Sequence, residues 1–132
     1  MPRNELAEEE RDLFARPNHA VVGTLRPEGS LQVTPVWVDL QGDRVVINSV
    51  LGRAKVRNLE RDPRVTVTVM DAADWYRWVS VEGRVVEARR EGAADHIEAV
   101  SQHYTGRAFR DLAPGEVRVM LFVEPERVTS EL

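Results

Sequence analysis

The stretch His19–Ser49, HAVVGTLRPEGSLQVTPVWVDLQGDRVVINS, decides how the rest of the chain is read. Its runs AVVGTL, LQVTPVWV and RVVIN are rich in β-branched residues, and RPEGS and QGD between them are turn chemistry. Turns this short imply antiparallel pairing, so the spacing predicts a three-stranded meander. Pro35 has no N–H to donate and marks an edge, a bulge or a local break in the second strand.

Working outward, RVTVTVMD (64–71) alternates strictly and predicts a strand. WYRWVSVEGRVVEA (75–88) predicts a longer one that bends or bulges at Gly83, and EVRVMLFVEPERV (116–128) closes the set. Before the meander, Glu5 to Phe14 suits a short amphipathic helix with Leu6, Leu13 and Phe14 on one face and Pro17 as its stop. GRAKVRNLERD (52–62) predicts a helix starting near Arg53, capped by Asn48 or Ser49 and ending before Pro63. EGAADHIEAVSQHYTG (91–106) predicts a helix with Ala94, Ile97, Val100 and Tyr104 as its apolar stripe. About six strands and two or three helices, with no repeating strand–helix–strand alternation, predict a mainly β, α+β domain over residues 1–132. The best fit is an antiparallel barrel of about six strands with peripheral helices.

The formal net charge of −4 disfavours general nucleic-acid binding, although a local basic patch can still take a phosphate. There is no cysteine, so disulfides and thiolate metal sites are excluded. The amino terminus carries no signal-type apolar run, and no apolar stretch approaches the ~20 residues that span a bilayer. The expectation is a cytoplasmic protein with no membrane and no nucleic-acid partner.

Against that acidic background, Arg53, Lys55, Arg57 and Arg61 fall within eleven residues of Leu51. A helix start carries free N–H groups and a partial positive charge, so cations there are unfavourable unless an anion joins them. A phosphate turns the cost into a gain, and Asn48, Ser49 and Gly52 leave room for it. The bland alternative is a solvated helix face; Arg57 and Arg61 fit that reading, and Asn58 fits either.

Other chemistry is thin. His19, His96 and His103 complete no ligand set and are read as structural or surface residues, so no metal site is expected. No nucleophile elbow, P-loop or dinucleotide fingerprint is present.

The segment GRAKVRNLERDPRVTVTVMDAADWYRWVSVEGRVVEA (52–88) resembles the central part of the split-barrel flavin-binding family of pyridoxamine 5′-phosphate oxidase, in the order basic helix start, N-L-x-R-D-P-R-V, strand, aromatic, V-x-G-R-V. The similarity runs from about Asn18 to Glu87. Within the family it is nearest the branch that uses the deazaflavin coenzyme F420, on Gln32, Pro35, Val36 and Trp37 in the second strand and Arg53, Lys55, Asn58 and Leu59 in the R-x-K-x-x-N-L helix start, with Ala54 between the two cations. The second strand lacks the cations of pyridoxamine phosphate oxidase proper, which argues against that substrate.

The resemblance implies a six-stranded split barrel, a homodimer, and a cofactor in a cleft at the dimer interface. It implies that Arg53 and Lys55 hold the cofactor phosphate, that Asn48 and Ser49 donate hydrogen bonds near it, and that backbone of Thr34, Pro35 and Val36 lines the ring. Trp37 and Trp78 then wall the cleft, with Trp75 and Tyr76 at the cleft or the interface; Tyr104, His103 and Arg118 are the conceivable proton donors.

The function it implies is hydride transfer from reduced F420 to a small unsaturated or conjugated substrate. The alternatives are an oxidoreductase of the same fold using flavin mononucleotide (FMN), a non-catalytic cofactor-binding protein, and an interaction domain whose cations meet an acidic partner.

Overall fold

The computed structural model describes residues 2–132. The elements in chain order are α1 (Glu8–Ala15), β1 (His19–Leu25), β2 (Leu31–Val36), β3 (Asp39–Gln41), β4 (Arg44–Val50), α2 (Ala54–Arg61), β5 (Arg64–Met70), β6 (Trp78–Arg89), α3 (Ala93–Thr105) and β7 (Arg118–Glu131). All strands belong to one antiparallel sheet in the order β2-β1-β5-β6-β7-β4-β3.

That order dictates the shape. The two outermost strands, β2 and β3, are consecutive in the chain and joined only by Trp37 and Val38. Three virtual bonds reach no more than roughly 11 Å, so the sheet rolls until its two edges lie side by side. The edges adjoin without pairing, which leaves a seam along the roll.

Seven strands stand where about six were expected, because the second run of the meander is divided. LQVTPV pairs with β1, in register Val21↔Pro35, while Asp39–Gln41 pairs with β4. Between them the backbone N–H of Val38 donates to the Tyr104 hydroxyl (3.1 Å), which in turn reaches the Val38 carbonyl (3.3 Å) and the Asn18 carbonyl (3.1 Å). Val38 thus satisfies its backbone on a side chain instead of a ladder. Pro35 does sit on an edge strand, as its missing N–H requires.

The inside of the roll is apolar: Val22, Val45, Ile47, Val67, Val79 and Val81 are all at most 1 % exposed. Leu13 and Phe14 of α1, and Val56 and Leu59 of α2, join that core. A smaller outer cluster, Val46, Met120 and Phe122 with Ala93, lies beneath α3. The α3 stripe is Ala93, Ile97, Val100 and Ser101, with Tyr104 half-buried; Ala94 is exposed, one residue off the expected stripe. The β6 ladder slips between Glu82 and Gly83 and again between Val85 and Glu87, which places the expected bulge. A Cβ on Gly83 would lie 2.1 Å from the Glu124 carbonyl oxygen, so only glycine fits.

Strand β6 begins at Trp78, not at Trp75. Asp71 and Asp74 accept the N–H groups of Ala73 (2.8 Å) and Tyr76 (3.2 Å), and these side-chain turns stop the strand from extending back. Trp75 and Tyr76 consequently stand out at the β5–β6 tip, 69 % and 75 % exposed. Helix α1 starts at Glu8 because Glu10 reaches back to the Ala7 N–H (2.7 Å). Among the described residues no helix is long and apolar enough to cross a membrane.

Candidate functional site

Strand β4 ends at Val50, and Gly52, at φ +95°, turns the chain into α2. Arg53 is the N-cap residue of that helix and makes no side-chain cap. The expected caps, Asn48 and Ser49, are adjacent in a strand and so face opposite ways. Ser49 points into the roll, fully buried, with its hydroxyl unpartnered. Asn48 points outward, and both ends of its amide are occupied by other groups (below). Ser49 therefore donates nothing to a ligand beside Arg53.

Outside the sheet, at the seam, lies a groove of about 280 Å³. Pro35, Val36 and Trp37 form one wall, Asn48 the floor, and Arg53 and Lys55 the helix side. Among the residues that close it are Asp39, His96, Arg110 and Arg118. Of the residues picked from sequence, six meet here: Pro35, Val36, Trp37, Asn48, Arg53 and Lys55.

The others do not. Asn58 is 5 % exposed and donates to Thr24 Oγ1 and Gln32 Oε1, both at 3.0 Å, so Asn58 and Gln32 tie α2 to β1 and β2. Thr34 shares the inward side of β2 with Gln32, its hydroxyl buried and unpartnered. Ala54 is exposed on the first turn of α2. Trp78 lines a separate shallow hollow with Trp75, Tyr76 and Met70, so within one chain Trp37 and Trp78 do not wall the same cleft.

The electrostatics single out one end of the groove. Among the described residues no carboxylate pairs with Arg53 or Lys55, although most arginines elsewhere do find one. Burial, and then the charges of Arg53 and Arg118, pull the Lys55 ammonium below its ordinary range. Arg118 is 6 % exposed and donates from Nη1 to Glu116 (2.9 Å) and from Nε to Asn48 Oδ1 (2.9 Å). Glu116 also takes Arg110 (2.7 Å), and bonds from Arg110, the Ala113 N–H and Arg118 hold its carboxyl at about 2. One carboxylate thus serves two arginines, and the groove keeps an excess of positive charge. The Arg110 and Arg118 guanidinium groups lie 4.8 Å and 5.2 Å from the centre of the Phe109 ring, which meets Trp37 edge-on.

At the other end, His96 Nε2 contacts Asp39 Oδ2 at 3.0 Å and its Nδ1 contacts Asn48 Nδ2 at 2.9 Å. Burial pushes the Asp39 carboxyl up, but the bonds from His96 and the Leu40 N–H outweigh it and leave the group below its usual range. His96 and Asp39 were not recognised from sequence as parts of a binding site, and Arg118 was named there only as a conceivable proton donor. One signal was present: His96 lies three residues after Ala93 and four before Val100, on the helix side that packs inward.

Of the conceivable proton donors, Tyr104 spends its hydroxyl on Asn18 and Val38, and burial pushes it up. His103 faces the Ala15 carbonyl at 2.8 Å, away from the groove. Only Arg118 lines it.

The chain matches the family model described as pyridoxamine 5′-phosphate oxidase over residues 6–131. Its structure is similar to a solved F420 reductase, with TM-score 0.84 and 26 % identity, over 94 % of this chain and 98 % of that one. It is similar also to the conserved hypothetical protein Rv2991 of Mycobacterium tuberculosis, with TM-score 0.75 and 25 % identity, over 98 % and 88 % of the two chains. HupZ of Group A Streptococcus shares the fold at 19 % identity, with TM-score 0.70 and coverage of 95 % and 93 %. No curated protein matches in sequence.

Proposed function

The chain belongs to the pyridoxamine 5′-phosphate oxidase family, and from that membership we propose that it is an oxidoreductase that passes hydride from reduced F420 to a small unsaturated or conjugated molecule. The observation that carries the reading is the Arg53–Lys55 pair, without a carboxylate partner among the described residues, beside Arg118 in a groove walled by Pro35, Val36 and Trp37. Cations left without acids at a helix start are a standing cost that an anionic ligand removes. The similarity to an F420 reductase supports the deazaflavin over other ring cofactors.

The residues suit such a cofactor. Lys55 offers a point charge and Arg53 a planar fork for its acidic part. The edge of β2 pairs with β1 on one side only, so backbone near Thr34–Val36 is free to meet a ring edge. Trp37, stacked on Tyr104 at 5.4 Å, makes a rigid apolar wall that excludes water. When bound, the deazaflavin supplies the hydride; the protein orients it and the acceptor.

FMN, with its single phosphate, is the second reading, since the same cations suit it. The working unit is a homodimer in this proposal. Leu31 and Val33 on β2 are 66 % and 60 % exposed, and Trp75 and Tyr76 crown a hollow that includes Trp78. A second copy would cover such surface and bring its Trp78 to a cleft.

The deciding experiment is a pair of titrations of the purified protein, one with F420 followed by cofactor fluorescence and one with FMN followed by absorbance. Saturable F420 binding with weak or absent FMN binding is expected. Binding of FMN alone transfers the reading to the flavin, and binding of neither abandons it.

A further inference from the structure

We propose that Asp39, His96 and Asn48 form a positioning relay that fixes the Arg118 guanidinium in the groove, so that residues whose hydrogen bonds go to one another rather than to an anion help set its affinity there. The inference rests on the groove being an anion site, as the proposed function requires.

The hydrogen bonds have only one consistent polarity. A guanidinium has donors and no acceptor, so the Asn48 atom 2.9 Å from Arg118 Nε must be the amide oxygen. The Asn48 NH₂ then faces the other way and donates to the Ala93 carbonyl (2.8 Å) and to His96 Nδ1 (2.9 Å). Nδ1 is therefore the bare ring nitrogen, and the ring proton sits on Nε2, which donates to Asp39 Oδ2 at 3.0 Å. The carboxylate closes the series, its Oδ1 taking the Leu40 N–H at 2.8 Å. Flipping the amide sets two donors face to face at Arg118, and moving the ring proton to Nδ1 does so at Asn48.

The relay spans four elements, β3, α3, β4 and β7; the His96 side chain (9 % exposed) and Arg118 (6 %) are shielded, while Asp39 at its end is 38 % exposed. Glu116 holds Arg118 Nη1, and the Phe109 ring flanks the guanidinium. Among the described residues Nη2 meets no protein acceptor and is not a buried orphan, so it remains for a ligand. Without the bond to Asn48, Arg118 is held by Glu116 alone and turns toward the shared carboxylate of Arg110.

Two measurements on the full chain test this. Long-range ¹⁵N NMR of the histidine rings reads the tautomer directly: a proton on Nε2 of His96 is expected, and a proton on Nδ1 overturns the relay. Calorimetric titration with pyrophosphate reads the anion site without any redox cofactor. His96→Phe is expected to weaken pyrophosphate binding by about tenfold, and His96→Gln, which retains one acceptor and one donor, to recover most of it. Equal affinity in wild type and His96→Phe, with unchanged melting temperature, overturns the relay and leaves the anion site standing. Failure of the wild type to bind pyrophosphate overturns both. If His96→Phe does not fold, Asp39→Leu against Asp39→Asn makes the same comparison: loss in the first and near-wild-type affinity in the second are expected, and equal affinity in both overturns the proposal.

Discussion

Replacing Lys55 by methionine should stabilise the protein and cripple its binding, and the two opposite signs have one cause. The ammonium is half-buried beside Arg53 and Arg118, and burial first and those charges second pull it below its ordinary 10.5. A lysine depressed in the folded state binds its proton less tightly there than in the unfolded chain. Its charge therefore opposes folding at every pH below the folded value, and that cost fades as pH rises from the folded value toward 10.5. Methionine retains the length and the apolar stem without the charge. Relief of such crowding is worth about 0.5–1 kcal/mol, or roughly 2–4 °C in Tm for a chain of this size. The lost charge-assisted bond to an anion costs about 1.5–3 kcal/mol, roughly ten- to 150-fold in Kd. Differential scanning calorimetry and F420 fluorescence titration measure the two effects on the same samples. Phosphate should raise the Tm of wild type more than that of Lys55→Met, because a ligand stabilises only the state that binds it. A lower Tm in the variant refutes the crowding argument, and an unchanged Kd removes Lys55 from the site.

Three structural predictions follow from other residues. Glu10, 2 % exposed, is held down to about 2 by Arg3 first, with Ser130 and the Ala7 N–H assisting against burial, and the drop from 4.5 corresponds to about 3 kcal/mol. That stability is present above pH 4.5 and is lost as pH falls toward 2, so Glu10→Gln should be less stable near neutrality by urea denaturation and converge with wild type in acid. Gly83→Ala forces a Cβ against the Glu124 backbone and should cost about 3 kcal/mol or more, read as a fall in the denaturation midpoint. Tyr104→Phe leaves the Val38 N–H without its partner and should cost about 1–3 kcal/mol, with faster hydrogen exchange at Val38 and little change at Val67.

What could be read in advance was whatever local chemistry controls. RPEGS and QGD did form the turns, with Gly29 at φ +92° and Gly42 at φ +61°, and the bulge came at Gly83. Pro63 closed α2, whose C-cap is Asp62. The split of the second run depends on Tyr104, 66 residues away from Val38, which no local pattern reveals. Asn48 and Ser49 were grouped as small polar neighbours, yet the two-residue period of a strand already separates their faces. The sixth strand starts three residues later than alternation through Trp75 and Tyr76 predicts, because Asp71 and Asp74 turn the chain ahead of Trp78. Arg53 and Lys55 were legible as charges out of place at a helix start. His96 was not, and Arg118 was legible only as a conceivable proton donor, because what defines both is their meeting at Asn48 across three elements.

The place of the groove follows from how the roll is closed. A sheet whose first and last strands paired would leave no free backbone at the join and no space beside it. Here Pro35 cannot donate to a neighbour, Val38 is occupied by Tyr104, and β2 and β3 each keep one unpaired edge. Such edges need cover from side chains or from a ligand. Trp37 and Phe109 cover part of the seam, while Arg53, Lys55 and Arg118 bring positive charge to it from α2 and β7. The same break in the ladder that divides the predicted strand therefore creates the groove. The cost of an incomplete sheet and the cost of unpaired cations fall at one point, where a flat, anionic ligand would offset both.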